Sequence, residues 1–124
     1  MSGICLVAGL LVAVLDDTVT LSWTHSIQKT VWEEDYRREG KALRLVEARV
    51  RGSGAGMEPP EGAVLKDGAW HYVPALPALP NVQLRHSPYA AGYRVCSGGQ
   101  CRSVTEWLSK LPQEAILELR PCNL

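Results

Sequence analysis

The sequence predicts a mainly β chain: a single-domain antiparallel β-sandwich or open barrel with one short C-terminal helix. Three observations carry that expectation. Period-two alternation of apolar and polar residues recurs in short segments, Gly- and Pro-containing turns separate those segments, and one stretch alone carries a helix-start signature. With 124 residues there is room for one such domain. Folding a chain of this size buries about two-thirds of its surface, enough for an ordinary core without obligatory staples.

The first segment is an apolar run from Ile4 to Leu15, divided by Gly9. No Lys or Arg precedes it, no small-x-small site follows it, and it ends in Asp16-Asp17, so a signal peptide is not expected. About a dozen residues are also too few to span a bilayer. Two short buried strands fit the run, and no transmembrane segment is expected. Thr18 to His25 then alternates, with Val19, Leu21, Trp23 and His25 on one face. Thr30 to Arg38 is a charged strand around Trp32 and Tyr36, and Glu39-Gly40-Lys41 turns the chain into Ala42 to Val50. That strand is apolar on both faces, through Val46, Ala48 and Val50 on one and Leu45 on the other, with polar ends, which suggests burial on one side only near its middle.

Arg51 to Pro60 reads as a loop. Lys66-Asp67-Gly68 supplies a hairpin turn between Ala63–Leu65 and Trp70–Val73. Pro74, Pro77 and Pro80 enforce an extended segment that cannot be a central strand. Val82 to His86 and Tyr93 to Cys96 read as strands, and Ser97-Gly98-Gly99-Gln100 as a hairpin loop. Ser103 and Glu106 form a capping box for a helix carrying Trp107, Leu108 and Leu111, which Pro112 ends. Ala115 to Arg120 is the last strand.

Thirteen basic residues balance thirteen acidic ones, with no basic stripe. Nucleic-acid binding by phosphate neutralisation is therefore not expected, nor is attraction to an acidic membrane surface. The Gly52-Ser53-Gly54-Ala55-Gly56 loop lets a ligand approach the backbone closely, because glycine has no Cβ. It is not a phosphate-binding loop, since no Lys-Ser/Thr follows and Pro59-Pro60 removes the helix N-terminus that would hold a phosphate. A plain surface connection remains the alternative.

His25 and Ser26 lie at a strand rim near Trp32-Glu33-Glu34. A rim histidine near carboxylates suits a metal ligand or a general base. No HxH or HExxH spacing supports a metal, and Glu33 and Glu34 must point to opposite faces of one strand. The expectation is therefore no catalytic residue, no metal and no cofactor, with His25 a hydrogen-bonded structural residue. If a binding surface exists, it joins His25 and Ser26 to Gly52, Ser53, Gly54, Gly56 and Glu58.

Cys96 and Cys101 bracket a hairpin loop, and directly opposed strand residues stand close enough for a disulfide. Free thiols remain open, as does a zinc knuckle with Cys5 and Cys122 as further ligands. Outside that knuckle, Cys5 and Cys122 read as core thiols at the ends of hydrophobic strands.

Taken together, Trp23-Thr24-His25-Ser26, Trp32-Glu33-Glu34, the block from Glu47 to Pro60 and Pro74-Ala75-Leu76-Pro77 resemble the DUF1850 family. These are small bacterial proteins, often encoded beside TRAP-type transporters of the TAXI subgroup. The resemblance runs from about Cys5 to Cys122; Gln28 stands where the family pattern has Glu. It implies no catalytic residues. It implies instead an accessory to solute uptake that binds a transporter component or a small solute. The alternatives are a small hydrolase, metal-dependent or built on His25 and nearby carboxylates, and a purely structural domain. No nucleophile, base and orienter stand at recognisable spacing, which favours the binding domain. The missing signal peptide reads as cytoplasmic, whereas a hairpin disulfide and solute capture suit the periplasm.

Overall fold

The structure, a computed structural model, describes residues 2–25, 30–51, 61–90 and 92–123, with backbone alone at Ser2 and His25. The apolar N-terminal run forms β1 (Ser2–Ala8) and β2 (Leu11–Leu15), which turn at Gly9. The alternating segments become β3 (Thr18–His25), β4 (Thr30–Glu39) and β5 (Ala42–Arg51). Next come β6 (Val64–Lys66), β7 (Ala69–Tyr72) and β8 (Val82–His86). The chain closes with β9 (Arg94–Ser97), β10 (Gln100–Ser103), α1 (Val104–Trp107) and β11 (Ala115–Asn123).

These strands make two antiparallel sheets, ordered β2-β1-β11-β8 and β10-β9-β3-β4-β5-β7-β6. The fold is mainly β, as the alternation predicts. One hydrophobic cluster draws on both sheets. Ile4, Leu6, Leu15, Leu84, Leu117 and Leu119 come from the smaller sheet, and Val19, Leu21, Tyr36, Leu43, Leu45 and Val95 from the larger. Gly3 sits where a Cβ would run into the Leu15 carbonyl, so only glycine lets β1 pass there. Arg38 ties the sheets together. Its guanidinium donates to the carbonyls of Gly3 (2.9 Å) and Cys122 (2.6 Å) and to Asn123 Oδ1 (2.9 Å).

The two-faced reading of Ala42 to Val50 resolves into a β-bulge. Asp35 pairs with Glu47 but Tyr36 pairs with Leu45, which leaves Val46 as an extra residue. The bulge puts Leu43 and Leu45 on the same face as Ala48 and Val50, and all four are buried. The Gly98-Gly99 turn has φ of 60° and 79°, the left-handed conformation that a two-residue hairpin needs.

Two expectations need correction. Cys96 and Cys101 are directly opposed and disulfide-bonded, but Cys5 and Cys122 are bonded as well and are not thiols. Cys5 is buried, as expected of a core position. However, Gly3 pairs with Cys122 and Cys5 with Arg120, so the two cysteines are diagonal neighbours with Cα atoms 5.8 Å apart. The zinc knuckle is excluded by the same two bonds. The helix is also shorter than expected. Its capping box is present, but the α conformation ends at Leu108, well before Pro112. Among the described residues no helix is long and apolar enough to cross a membrane.

Candidate functional site

The larger sheet extends beyond the core cluster at the end where β3 finishes and β4 begins. Register builds its inner face there in two rows. In the outermost row Trp23 is opposite Trp32, Trp32 opposite Val50, and Val50 opposite Trp70. In the next row Leu21 is opposite Glu34, Glu34 opposite Ala48, and Ala48 opposite Tyr72. Trp23 and Trp32 stack with rings 8° from parallel and centroids 6.4 Å apart, and Tyr93 tilts against Trp23 at 5.7 Å. Trp23 and Tyr93 lie against the margin of the core cluster, whereas Trp32, Glu34, Trp70 and Tyr72 lie outside it, each half-buried.

Glu34 is the one carboxylate in these two rows. The Tyr36 hydroxyl donates to its Oε1 at 3.0 Å, and among the described residues no cation pairs with it. Burial pushes its carboxyl above the ordinary value, and the hydrogen bond from Tyr36 only partly opposes that shift. Burial, then the Glu34 charge, push the phenols of Tyr36, Tyr72 and Tyr93 up in turn. The result is a low-polarity frame of rings around one carboxylate that no cation among the described residues offsets.

The opposite face of the same strands is built differently. Arg49 grips Asp35 with two hydrogen bonds of 2.6 and 2.8 Å and reaches Glu47 at 3.0 Å. Arg51 pairs with Glu33 at 3.0 Å, and Thr20 donates to Asp35 at 2.8 Å. Burial raises Asp35, but the hydrogen bonds from Arg49 and Thr20 outweigh it and hold the carboxyl below its ordinary value. His71 belongs to this ladder, with Nδ1 2.8 Å from Glu47 Oε1 and Nε2 3.2 Å from the Lys66 carbonyl. Glu33 and Glu34 thus face opposite ways, as strand geometry requires.

The family model described as "Domain of unknown function (DUF1850)" matches residues 19–104, more than half of the chain. The chain belongs to the DUF1850 family. The DUF1850 match takes in the larger sheet apart from Thr18, and with it both aromatic rows; β1, β2 and β11 fall outside it. No curated protein and no solved structure matches significantly.

Of the residues singled out in this DUF1850 chain, Ser26, Gly52, Ser53, Gly54, Gly56 and Glu58 lie outside the described residues, and His25 is described by its backbone alone. His25 pairs with Thr30, and the next residue, Val31, pairs with Arg51. The chain positions that flank both predicted segments therefore stand together at one end of the sheet, beside the aromatic rows. The other two histidines stand apart, His71 on the outer face of the larger sheet and His86 on the edge strand β8 of the smaller. Trp70, Tyr72 and Tyr93 were not singled out by sequence reasoning as site residues, and Glu34 was weighed only as a carboxylate near His25. Alternation marks the inner face of each strand, but only the register of five strands places these residues side by side.

Proposed function

We propose that this DUF1850 chain is a non-enzymatic accessory domain of a TAXI-type TRAP solute transporter. It binds a small solute, or a transporter component presenting the same chemistry, at the open end of its larger sheet. The observation that carries this reading is the Glu34 carboxylate, paired with no cation among the described residues, among half-buried rings on inner-face area that the core cluster does not use. Mostly apolar and aromatic side chains with a few convergent polar groups are the usual lining of a small-molecule site. On the same reading His25, Ser26, Gly52, Ser53, Gly54, Gly56 and Glu58 contribute its rim, since loops held by a rigid sheet commonly carry binding groups. Two disulfides support work in an oxidising compartment, where a solute-uptake accessory would meet its ligand.

The test is affinity purification of the tagged chain from the native bacterium under gentle solubilisation, with the neighbouring transporter proteins followed by mass spectrometry. Enrichment of the TAXI components, reduced by Gly54→Val or His25→Ala at unchanged melting temperature, is the expected outcome. Recovery without those components, or variants that associate like the parent, would count against the proposal.

A further inference from the structure

The geometry points to Glu34, Trp32, Trp70, Tyr72 and Tyr93 as a recognition site for a compact organic cation of the alkylammonium class. This deepens the binding-domain reading above and rests on it. Charge complementarity carries the choice. Arg49 and Arg51 hold carboxylates on the outer face, and Arg38 is engaged at the junction of the sheets. Among the described residues the inner face at this end therefore presents a carboxylate without its own cation, and an anionic solute placed there would meet Glu34 with none of them to offset it. A hard metal ion is no better served, because among the described residues one carboxylate with indoles and phenols falls short of the oxygen shell that calcium or magnesium requires. A diffuse, weakly hydrated ammonium suits it. Ring faces attract such a cation, more strongly where water is excluded, and the carboxylate neutralises it.

The frame also suits the cation electrostatically. The groups facing Glu34 are Tyr36 on its own strand, Tyr72 on β7 and Tyr93 before β9. All three phenols are pushed up and so stay neutral, leaving Glu34 to set the charge of the site. Because burial raises Glu34, affinity for a cation falls as pH drops through that raised value and the carboxyl takes up a proton.

The experiment titrates the full chain with tetramethylammonium chloride at constant ionic strength, following indole fluorescence, with tert-butanol and succinate as comparison probes. The expected result is saturable binding of tetramethylammonium in the millimolar range and none of the other two. Glu34→Gln should weaken it at least tenfold, which is about 1.4 kcal/mol. This variant keeps the shape of the side chain, and its amide oxygen still accepts from Tyr36, so an unchanged melt separates lost recognition from lost folding. Glu33→Gln, one residue away on the other face, should bind like the parent. Equal binding by Glu34→Gln, or equal affinity for tert-butanol, would overturn the inference. Saturable succinate without tetramethylammonium would overturn the cation class and leave a solute-binding domain standing. Tetramethylammonium binding without transporter association would uphold the site and sink the accessory role.

Discussion

The disulfide between Cys5 and Cys122 should be worth far more to this fold than the one between Cys96 and Cys101. Their sequence separations are 117 and 5 residues. In the chain-entropy description, closing the longer loop in the unfolded state stabilises the native one by about 5 kcal/mol, and closing the shorter by about 2 kcal/mol. The difference, about 3 kcal/mol, depends only on the logarithm of the ratio of the two loop lengths. Against a total stability of roughly 5–15 kcal/mol for an ordinary domain, losing the long loop removes a third or more. The perturbation is a pair of double variants, Cys5→Ala with Cys122→Ala and Cys96→Ala with Cys101→Ala, so that each removes one bond and leaves no odd thiol. Urea unfolding under oxidising conditions reads both, with thiol counting to establish that the parent carries no free thiol. The first pair should shift the midpoint well below the second. Equal shifts, or a larger one for the hairpin pair, would refute the reasoning.

Arg38→Ala should cost about 2–3 kcal/mol, because it strands the carbonyls of Gly3 and Cys122 where the two sheets meet; thermal melts of the parent, this variant and Arg38→Lys would measure it. Arg49→Met should cost about 1–2 kcal/mol near neutral pH, allowing for solvent screening at the partly open Asp35. The folded-state value of Asp35 is depressed, so its contribution is complete above the ordinary value of 3.8 and is lost as pH falls through the depressed one. The gap between parent and Arg49→Met in denaturant titrations should accordingly narrow in acid. Ser103→Ala removes one half of the capping box and should cost about 1 kcal/mol, read by urea midpoint, with Ser103→Asp retaining most of the stability.

Much of the local structure was legible because it is written in short-range signals. Thr18 to His25 and Val82 to His86 form strands with the expected bounds, and the turns at Gly40, Asp67-Gly68 and Gly98-Gly99 fall where turns were expected. The Cys96–Cys101 bond followed from a hairpin, which fixes opposition within a few residues. The Cys5–Cys122 bond could not follow from any local rule, since it depends on the first and last strands pairing in one particular register. The same limit hid the aromatic rows. Trp23 and Trp32 are neighbours across one hairpin, but Trp70 and Tyr72 join them only because β7 docks on the far edge of β5. The helix fell short because the capping box fixes only where it starts; the chain leaves the α conformation at Leu108, after a single turn and before the residue that Pro112 restricts.

The extra residue at Val46 makes the parity of β5 a property of the whole strand. Leu43 and Leu45 sit at odd steps on one side of it, Ala48 and Val50 at even steps on the other, and the bulge alone brings the two sets into phase. Removing Val46 would leave Leu45 and Ala48 two steps apart, so the four buried side chains would stay in phase on a regular strand without the bulge. Removing Arg44 or Arg49 instead would make Leu43 and Leu45, or Ala48 and Val50, immediate neighbours and turn one of that pair outward. Loss of a single residue should therefore be far better tolerated at Val46 than two or three residues to either side of it. Length variation between relatives would be expected to collect at the Gly40 turn and at Val46 and to spare the positions inside each buried pair.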